Sequence, residues 1–205
     1  MIDKSSYWNQ VYQTKGEANV SWFQTNPEPS SELIRRYTPD QSAAIIDIGG
    51  GASRLIDHLL ADGFHNLTVM DISSEAIAIA GSRIGNKGDV VKWIVSDVTK
   101  WKPDDIYDMW HDRAVFHFLT DSLDQTAYIQ NLKRALKPGG YFVIGTFALD
   151  GPEKCSGLPV MRHSPKTLQD LFGKEFLLIE SQKHNHQTPF LSVQSFQCCV
   201  FQHAK

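Results

Sequence analysis

Cysteine is scarce in this chain. The three present, Cys155 and the adjacent pair Cys198-Cys199, are odd in number and form no C-x-x-C. A disulfide framework and a closed zinc pattern are thereby disfavoured. Long apolar runs are also missing: nothing approaches the roughly 20 residues that span a bilayer. The opening Met1-Ile2-Asp3-Lys4-Ser5 lacks the charged-then-apolar layout of a secretory signal. A cytoplasmic protein with reduced thiols and no membrane partner is expected. Nor is there a basic excess, since 20 Lys and Arg stand against 23 Asp and Glu for a net charge of −3. Without clustered cations a duplex nucleic-acid partner is disfavoured. What remains, 205 residues of which 41% are apolar and 21% charged, suits one globular domain without repeats.

The most informative stretch joins an apolar, β-branched run to glycines. Ala43-Ala44-Ile45-Ile46-Asp47-Ile48 leads into Gly49-Gly50-Gly51-Ala52-Ser53-Arg54, and Leu55-Ile56 and Leu59-Leu60 follow at helical spacing. This reads as strand, turn and helix. Glycine permits positive φ and lets a ligand approach closely, while the helix start offers unpaired N–H groups. A dinucleotide fingerprint would need glycine at position 54, where close packing and a pyrophosphate demand it; Arg54 stands there instead. Two acids then follow at strand ends. Asp71 in Val69-Met70-Asp71-Ile72 is at the distance from Gly49 at which a carboxylate reaches a ribose, and Asp97 in Ser96-Asp97-Val98 falls on the same carboxyl edge.

From residue 43 strand and helix patterns alternate, with strands at 43–48, 66–70, 90–95, 107–111 and 141–147 and helices at 52–62, 73–83 and 122–137. Such alternation predicts an α/β, doubly wound sheet in a single domain. Lys137-Pro138-Gly139-Gly140 ends the last of these helices. Beyond a Gly/Pro-containing loop at 150–159 come a helix at 165–172 and two strands, 175–183 and 194–202. The latter alternates, with Phe196, Cys198 and Val200 on one face and Gln197 and Cys199 on the other, as an antiparallel strand does. Residues 1–42 are expected to form a helical extension. Tyr7, Trp8 and Tyr12 recur at helical spacing, and Ser30 or Ser31 is placed to cap a helix over Glu32–Tyr37. The aromatics here serve either as a packing layer or as a lid over a bound ligand.

Ile46-Asp47-Ile48-Gly49-Gly50-Gly51, Met70-Asp71, Ser96-Asp97-Val98, Tyr107-Asp108-Met109-Trp110 and Leu136-Lys137-Pro138-Gly139-Gly140 together resemble the class I S-adenosylmethionine-dependent methyltransferases. The resemblance implies a Rossmann-like seven-stranded sheet, order 3-2-1-4-5-7-6 with strand 7 antiparallel, in a methyltransferase domain over 43–205. It implies S-adenosyl-L-methionine as cofactor, held by Asp47, Gly49, Gly51, Asp71, Ile72, Asp97 and Val98, with Trp8 and Tyr12 from the extension. Ser53 and Arg54 depart from the small residues common past the loop, which leaves the placement of the methionine end open. The leader Tyr7-Trp8 to Ser21-Trp22-Phe23 is similar to that of protein-lysine methyltransferases acting on translation elongation factor, and to bacterial small-molecule methyltransferases. The acceptor is therefore a protein or a small molecule.

Methyl transfer from a sulfonium requires alignment, dehydration and, for some acceptors, a base, but no metal. His111 and His117 flank the stretch that this family turns toward its acceptor, and histidine titrates near neutrality. For each, a buried ring satisfied by a neighbour is the reading that sequence favours over a base. Arg113 can hold a carboxylate or pair with Asp112. His184 and His186 share a strand face but match no metal pattern. Two other functions fit the same sheet: a non-catalytic cofactor-binding or interaction module, and a nucleotide-dependent oxidoreductase, which Arg54 disfavours.

Overall fold

The computed structural model describes residues 3–205. Strands β1 (Ile45–Ile48), β2 (Leu67–Asp71), β3 (Val91–Val95), β4 (Tyr107–Arg113) and β5 (Leu136–Phe147) join a small two-residue hairpin, β6 (Lys154–Cys155) and β7 (Leu158–Pro159), and the long β8 (Phe176–Gln187) and β9 (Val193–His203). The main sheet runs β3-β2-β1-β4-β5-β9-β8. β1 lies parallel between β2 and β4, whereas β9 is antiparallel to both β5 and β8. This is the expected order, β8 and β9 being the sixth and seventh strands of the family pattern.

Period-two alternation sorts the strand side chains onto two covered faces. Ile46, Ile48, Trp110, Phe142 and Phe201 pack on one side with Tyr128 and Leu132 of α5 (Ser122–Ala135) and Leu168 and Phe172 of α6 (Pro165–Phe172). On the other, Ile45, Val69, Met109, Val143 and Val200 meet Leu33 and Ile34 of α2 (Ser30–Tyr37) and Leu55, Ile56 and Leu59 of α3 (Leu55–Ala61). Cys198 joins this second face and Cys199 the first, as the alternation of the last strand predicts. Each fully buried large side chain here contributes about 1.5–3 kcal/mol.

Three boundaries differ from the sequence reading. α3 begins at Leu55 and not at residue 52, because Gly49 and Gly51 have φ of 65° and 44° and extend the turn. Helix α5 ends at Ala135, and the Lys137–Gly140 segment is already strand: Leu136 pairs with Tyr107, then the register slips before Tyr141 meets Met109. The helix has thus stopped before Pro138 and Gly139 are reached, because β4 captures the chain at Leu136 through an irregular pairing. Neither Ser30 nor Ser31 caps α2. Pro29 occupies that position, and the Glu28 carboxylate accepts from the Glu32 N–H at 3.0 Å and the Ser31 hydroxyl at 2.8 Å.

The extension contributes α1 (Lys4–Lys15), capped by Asp3, whose carboxylate accepts from the Ser6 N–H at 2.9 Å. α1 packs along α4 (Ser74–Ile84) and crosses the carboxyl end of β2: the Ser5 hydroxyl donates to the Ile72 carbonyl at 3.0 Å, and Asn9 Oδ1 accepts from Ser73 Oγ at 2.8 Å. None of the described helices is long and apolar enough to cross a membrane.

Candidate ligand site at the carboxyl edge

The turn after β1 is built from backbone. Gly49 N–H donates to the Met70 carbonyl at 2.7 Å and Ser53 N–H to the Gly50 carbonyl at 2.8 Å, which draws the turn against β2. Side chains would not fit. A Cβ on Gly49 would lie 2.0 Å from Val115 Cγ2, and one on Gly51 would lie 2.7 Å from Asp71 Oδ2 and 3.2 Å from the Tyr12 hydroxyl. The turn is thus pressed between the ends of β2 and β4 and the helix α1.

Asp71 ends β2, buried beneath Tyr12. Its Oδ1 accepts the Ser73 N–H at 2.8 Å. Burial pushes its carboxyl up to about 7, with the Asp47 carboxylate adding to the rise and the Ser73 N–H opposing it. One strand over, Asp97 Oδ1 accepts from the Thr99 N–H at 2.9 Å and hydroxyl at 2.7 Å. Both acids face one cavity of about 340 Å³, together with Gly49, Ile72 and Val98. Trp8, Tyr12, Trp22 and Phe118 wall it on the α1 side, and Val115, Leu119, Cys155, Leu158 and Pro159 complete an apolar end. Trp8 stands edge-on to both Trp22 and Phe118, with ring centroids 5.6 and 5.2 Å apart.

A second, smaller cavity of about 40 Å³ lies on the other side of the turn, lined by polar groups from Glu17, Ser30, Asp47, Ser53 and His111. Here the structure places Asp47 and His111. His111 Nδ1 is 2.6 Å from Asp47 Oδ1 and its Nε2 2.8 Å from Ser30 Oγ, so both ring nitrogens are occupied. Asp47 Oδ2 would lie 2.5 Å from a Cβ at Gly50. The His111–Asp47 pair therefore props the turn from below.

The other candidates divide. His117 is fully buried in neither cavity, both its ring nitrogens lack partners, and its ring lies 4.7 Å from Phe147. Burial pulls its imidazole down to about 3, so it is neutral at physiological pH. Asp112 is also turned inward, accepting from the Tyr128 hydroxyl at 2.7 Å and the Val115 N–H at 2.9 Å. It does not pair with Arg113, which instead reaches both cavities and donates to the Trp22 carbonyl at 3.0 Å. His186 Nε2 contacts the Ser21 carbonyl at 2.7 Å and so ties β8 to the extension. Among the described residues no three metal-ligating side chains converge.

Two contributions lie outside the sequence motifs. Glu17 pairs with both Arg54 and Arg83, and Arg83 also donates to the Ala52 and Ser53 carbonyls at 3.1 and 2.7 Å. Arg54, the departure from the glycine pattern, thus fastens the extension to the turn. Ser30 supports His111 from 81 residues away. Neither Glu17 nor Ser30 carries a local signal, since each acts through partners distant in sequence.

A family model described as a methyltransferase domain matches residues 45–140. Nodulation protein S of Rhizobium tropici is 32% identical over 104 residues, 51% of this chain and 43% of that protein. EEF1A lysine methyltransferase 2 of Homo sapiens is 28% identical over 162 residues, 67% of this chain and 65% of that protein. The chain thus spans between two fifths and two thirds of the length of these two relatives. Among solved structures, N-methyltransferase NodS from Bradyrhizobium japonicum WM9, in complex with S-adenosyl-l-homocysteine, superposes with a TM-score of 0.72 at 19% identity, over 96% of this chain and 98% of that one.

Proposed function

We propose, from the methyltransferase-domain match over residues 45–140 and the methyltransferase relatives, that the chain is a class I S-adenosylmethionine-dependent methyltransferase that transfers the methyl group of S-adenosyl-L-methionine to an acceptor entering the apolar end of the larger cavity. The observation that carries this reading is the convergence of Gly49, Asp71 and Asp97 on one cavity at the ends of β1, β2 and β3. The residues fit the cofactor. Asp71 Oδ2 stands clear of the Ser73 N–H for a ribose diol, and Asp97 retains Oδ2 beside Ile72 and Val98 for the adenine. Gly49 lines the cavity with backbone alone, while the lack of a Cβ at Gly49 and Gly51 leaves room for Val115 and for the Asp71 carboxylate that the ribose would meet.

When bound, the cofactor supplies a sulfonium methyl that is already activated toward a nucleophile. The chain's part is alignment and exclusion of water. Trp8, Trp22 and Phe118 present aromatic faces and edges where the methyl and acceptor would meet, and an aromatic face near a cation contributes about 0.5–2 kcal/mol. Asp47, held by His111, which Ser30 supports in turn, fixes the turn and offers a negative charge to an amino-acid end. Among the described residues no histidine lines the larger cavity. We therefore favour transfer to an acceptor that needs no histidine base, by proximity and desolvation. α1, tied by Ser5, Asn9 and Glu17, is read as the lid over the cofactor, in a cytoplasmic enzyme.

EEF1A lysine methyltransferase 2 carries a protein acceptor in its name and NodS is an N-methyltransferase, so the acceptor class spans proteins and small molecules. Calorimetry with S-adenosylhomocysteine tests the reading. Binding should occur near one to one in wild type and weaken in Gly51→Val and Asp71→Ala, while unchanged affinity in both folded variants refutes the site. NAD in place of S-adenosylhomocysteine should give no heat; binding would revive the oxidoreductase.

A further inference from the structure

Arg113 is the one cation lining the larger cavity without a counter-ion among the described residues. Arg35, Arg36, Arg54, Arg83 and Arg162 all pair with carboxylates. Arg113 has a single hydrogen bond, to the Trp22 carbonyl at 3.0 Å, and its Nη2 is buried with no partner. Its neighbour Asp112 is spent on Tyr128 and on backbone N–H groups. A buried cation left unpaired is costly, and a ligand anion would remove that cost.

Position in the sheet sets what Arg113 can reach. Arg113 ends β4, and its stem leans toward β5, with Cγ 3.5 Å from where a Gly145 Cβ would stand. The guanidinium carbon lies 4.8 Å from the ring centre of Phe196 on β9. It therefore sits over β5 and β9 and borders both the larger cavity and, on its other side, the smaller cavity at the turn after β1. Of the acids, only Asp71 and Asp97 line the larger cavity, and the cofactor would engage both. The acceptor side is left with a cation and apolar walls.

We propose that Arg113 anchors an anionic group, carboxylate or phosphate, on a methyl acceptor whose body is apolar. This rests on the methyltransferase reading and narrows it: a lysine side chain, itself cationic, is not what this end of the cavity is charged to receive. Guanidinium geometry suits either anion through two parallel hydrogen bonds.

The test uses the full chain saturated with S-adenosylhomocysteine and three probes of one size, benzoate, phenyl phosphate and benzylamine, titrated by ligand-observed NMR. One or both anions should bind and the amine should not, the preference between the anions distinguishing carboxylate from phosphate. Arg113→Met should weaken anion binding by about 10- to 100-fold, the loss of a charge-assisted pair. Arg113→Lys, which keeps the charge, should recover part of it. Affinity for S-adenosylhomocysteine, measured in the same variants, should fall by less than anion affinity does, and circular dichroism melts confirm that both are folded. Preference for benzylamine, or failure of both anions to bind a protein that does hold S-adenosylhomocysteine, overturns this inference alone. A loss of S-adenosylhomocysteine affinity in Arg113→Met as large as the loss of anion affinity assigns the arginine to the cofactor and overturns it too. Failure of wild type to bind S-adenosylhomocysteine at all overturns the methyltransferase reading as well.

Discussion

Asp71 gives the sharpest quantitative expectation, because burial under Tyr12 has raised its carboxyl to about 7. A ribose diol donates hydrogen bonds, so it binds the ionised form and binding must release a proton whenever Asp71 starts protonated. The sign follows: affinity for S-adenosylhomocysteine rises with pH through the neutral range. With a midpoint near 7, about one tenth of the protein is ionised at pH 6 and about nine tenths at pH 8, so affinity should differ about tenfold between them. Asp71→Asn cannot ionise and should lose the slope. At pH 8 it should also lose the charge-assisted part of the contact, about 1.5–3 kcal/mol, or roughly 10- to 150-fold in affinity. Calorimetry at pH 6, 7 and 8, in buffers of different ionisation enthalpy, reads both affinity and protons released. Wild-type affinity that does not change from pH 6 to 8 would refute the reasoning. So would an Asp71→Asn variant with the same slope as wild type.

The same shift predicts an effect on the unliganded protein. An unfolded Asp loses its proton near 3.8 whereas folded Asp71 keeps its proton to about 7, so stability should fall as pH rises from about 4 to about 7, Asp112 adding the same sign up to about 6. Urea denaturation of wild type and Asp71→Asn at pH 5 and 7.5 checks this; the variant should gain on wild type at the higher pH, and a loss contradicts it. His117→Phe replaces an unpartnered buried ring by an apolar one among Phe118 and Phe147. It should melt no lower than wild type and leave methyl transfer unchanged, whereas a fall of about 10²-fold in turnover would restore His117 as a base. Ser30→Ala orphans Nε2 of buried His111 and should cost roughly 1–3 kcal/mol of stability in urea denaturation; no loss would mean the His111 chain does not support the fold. In hydrogen exchange, α1 should gain protection when S-adenosylhomocysteine binds; equal protection makes it a fixed packing layer.

Much of the framework was legible because it is local. The β-branched run before Gly49, the alternation of Phe196 to Val200 and the strand-end positions of Asp71 and Asp97 each encode structure within a few residues. What eluded sequence reasoning depends on partners far along the chain. Ser30 supports His111 from 81 residues away, and β5 starts early because β4 is present to pair with Leu136. The two candidate histidines could not be separated by sequence. They lie six residues apart, His111 within β4 and His117 just after it, yet one meets Asp47 and Ser30 and the other meets phenylalanines. Arg113 was visible as a possible anion anchor, but its lack of a carboxylate is a property of the packed site.

The most direct test of the whole account is transfer of label from methyl-labelled S-adenosylmethionine into a cell extract separated into protein and small-molecule fractions, run with wild type and with Asp71→Ala. The account predicts label in the small-molecule fraction, on species retained by an anion-exchange resin, and none above background with the variant. A wild-type protein that binds S-adenosylhomocysteine at one site yet moves no label into either fraction would contradict it, and would leave a cofactor-binding module without transfer.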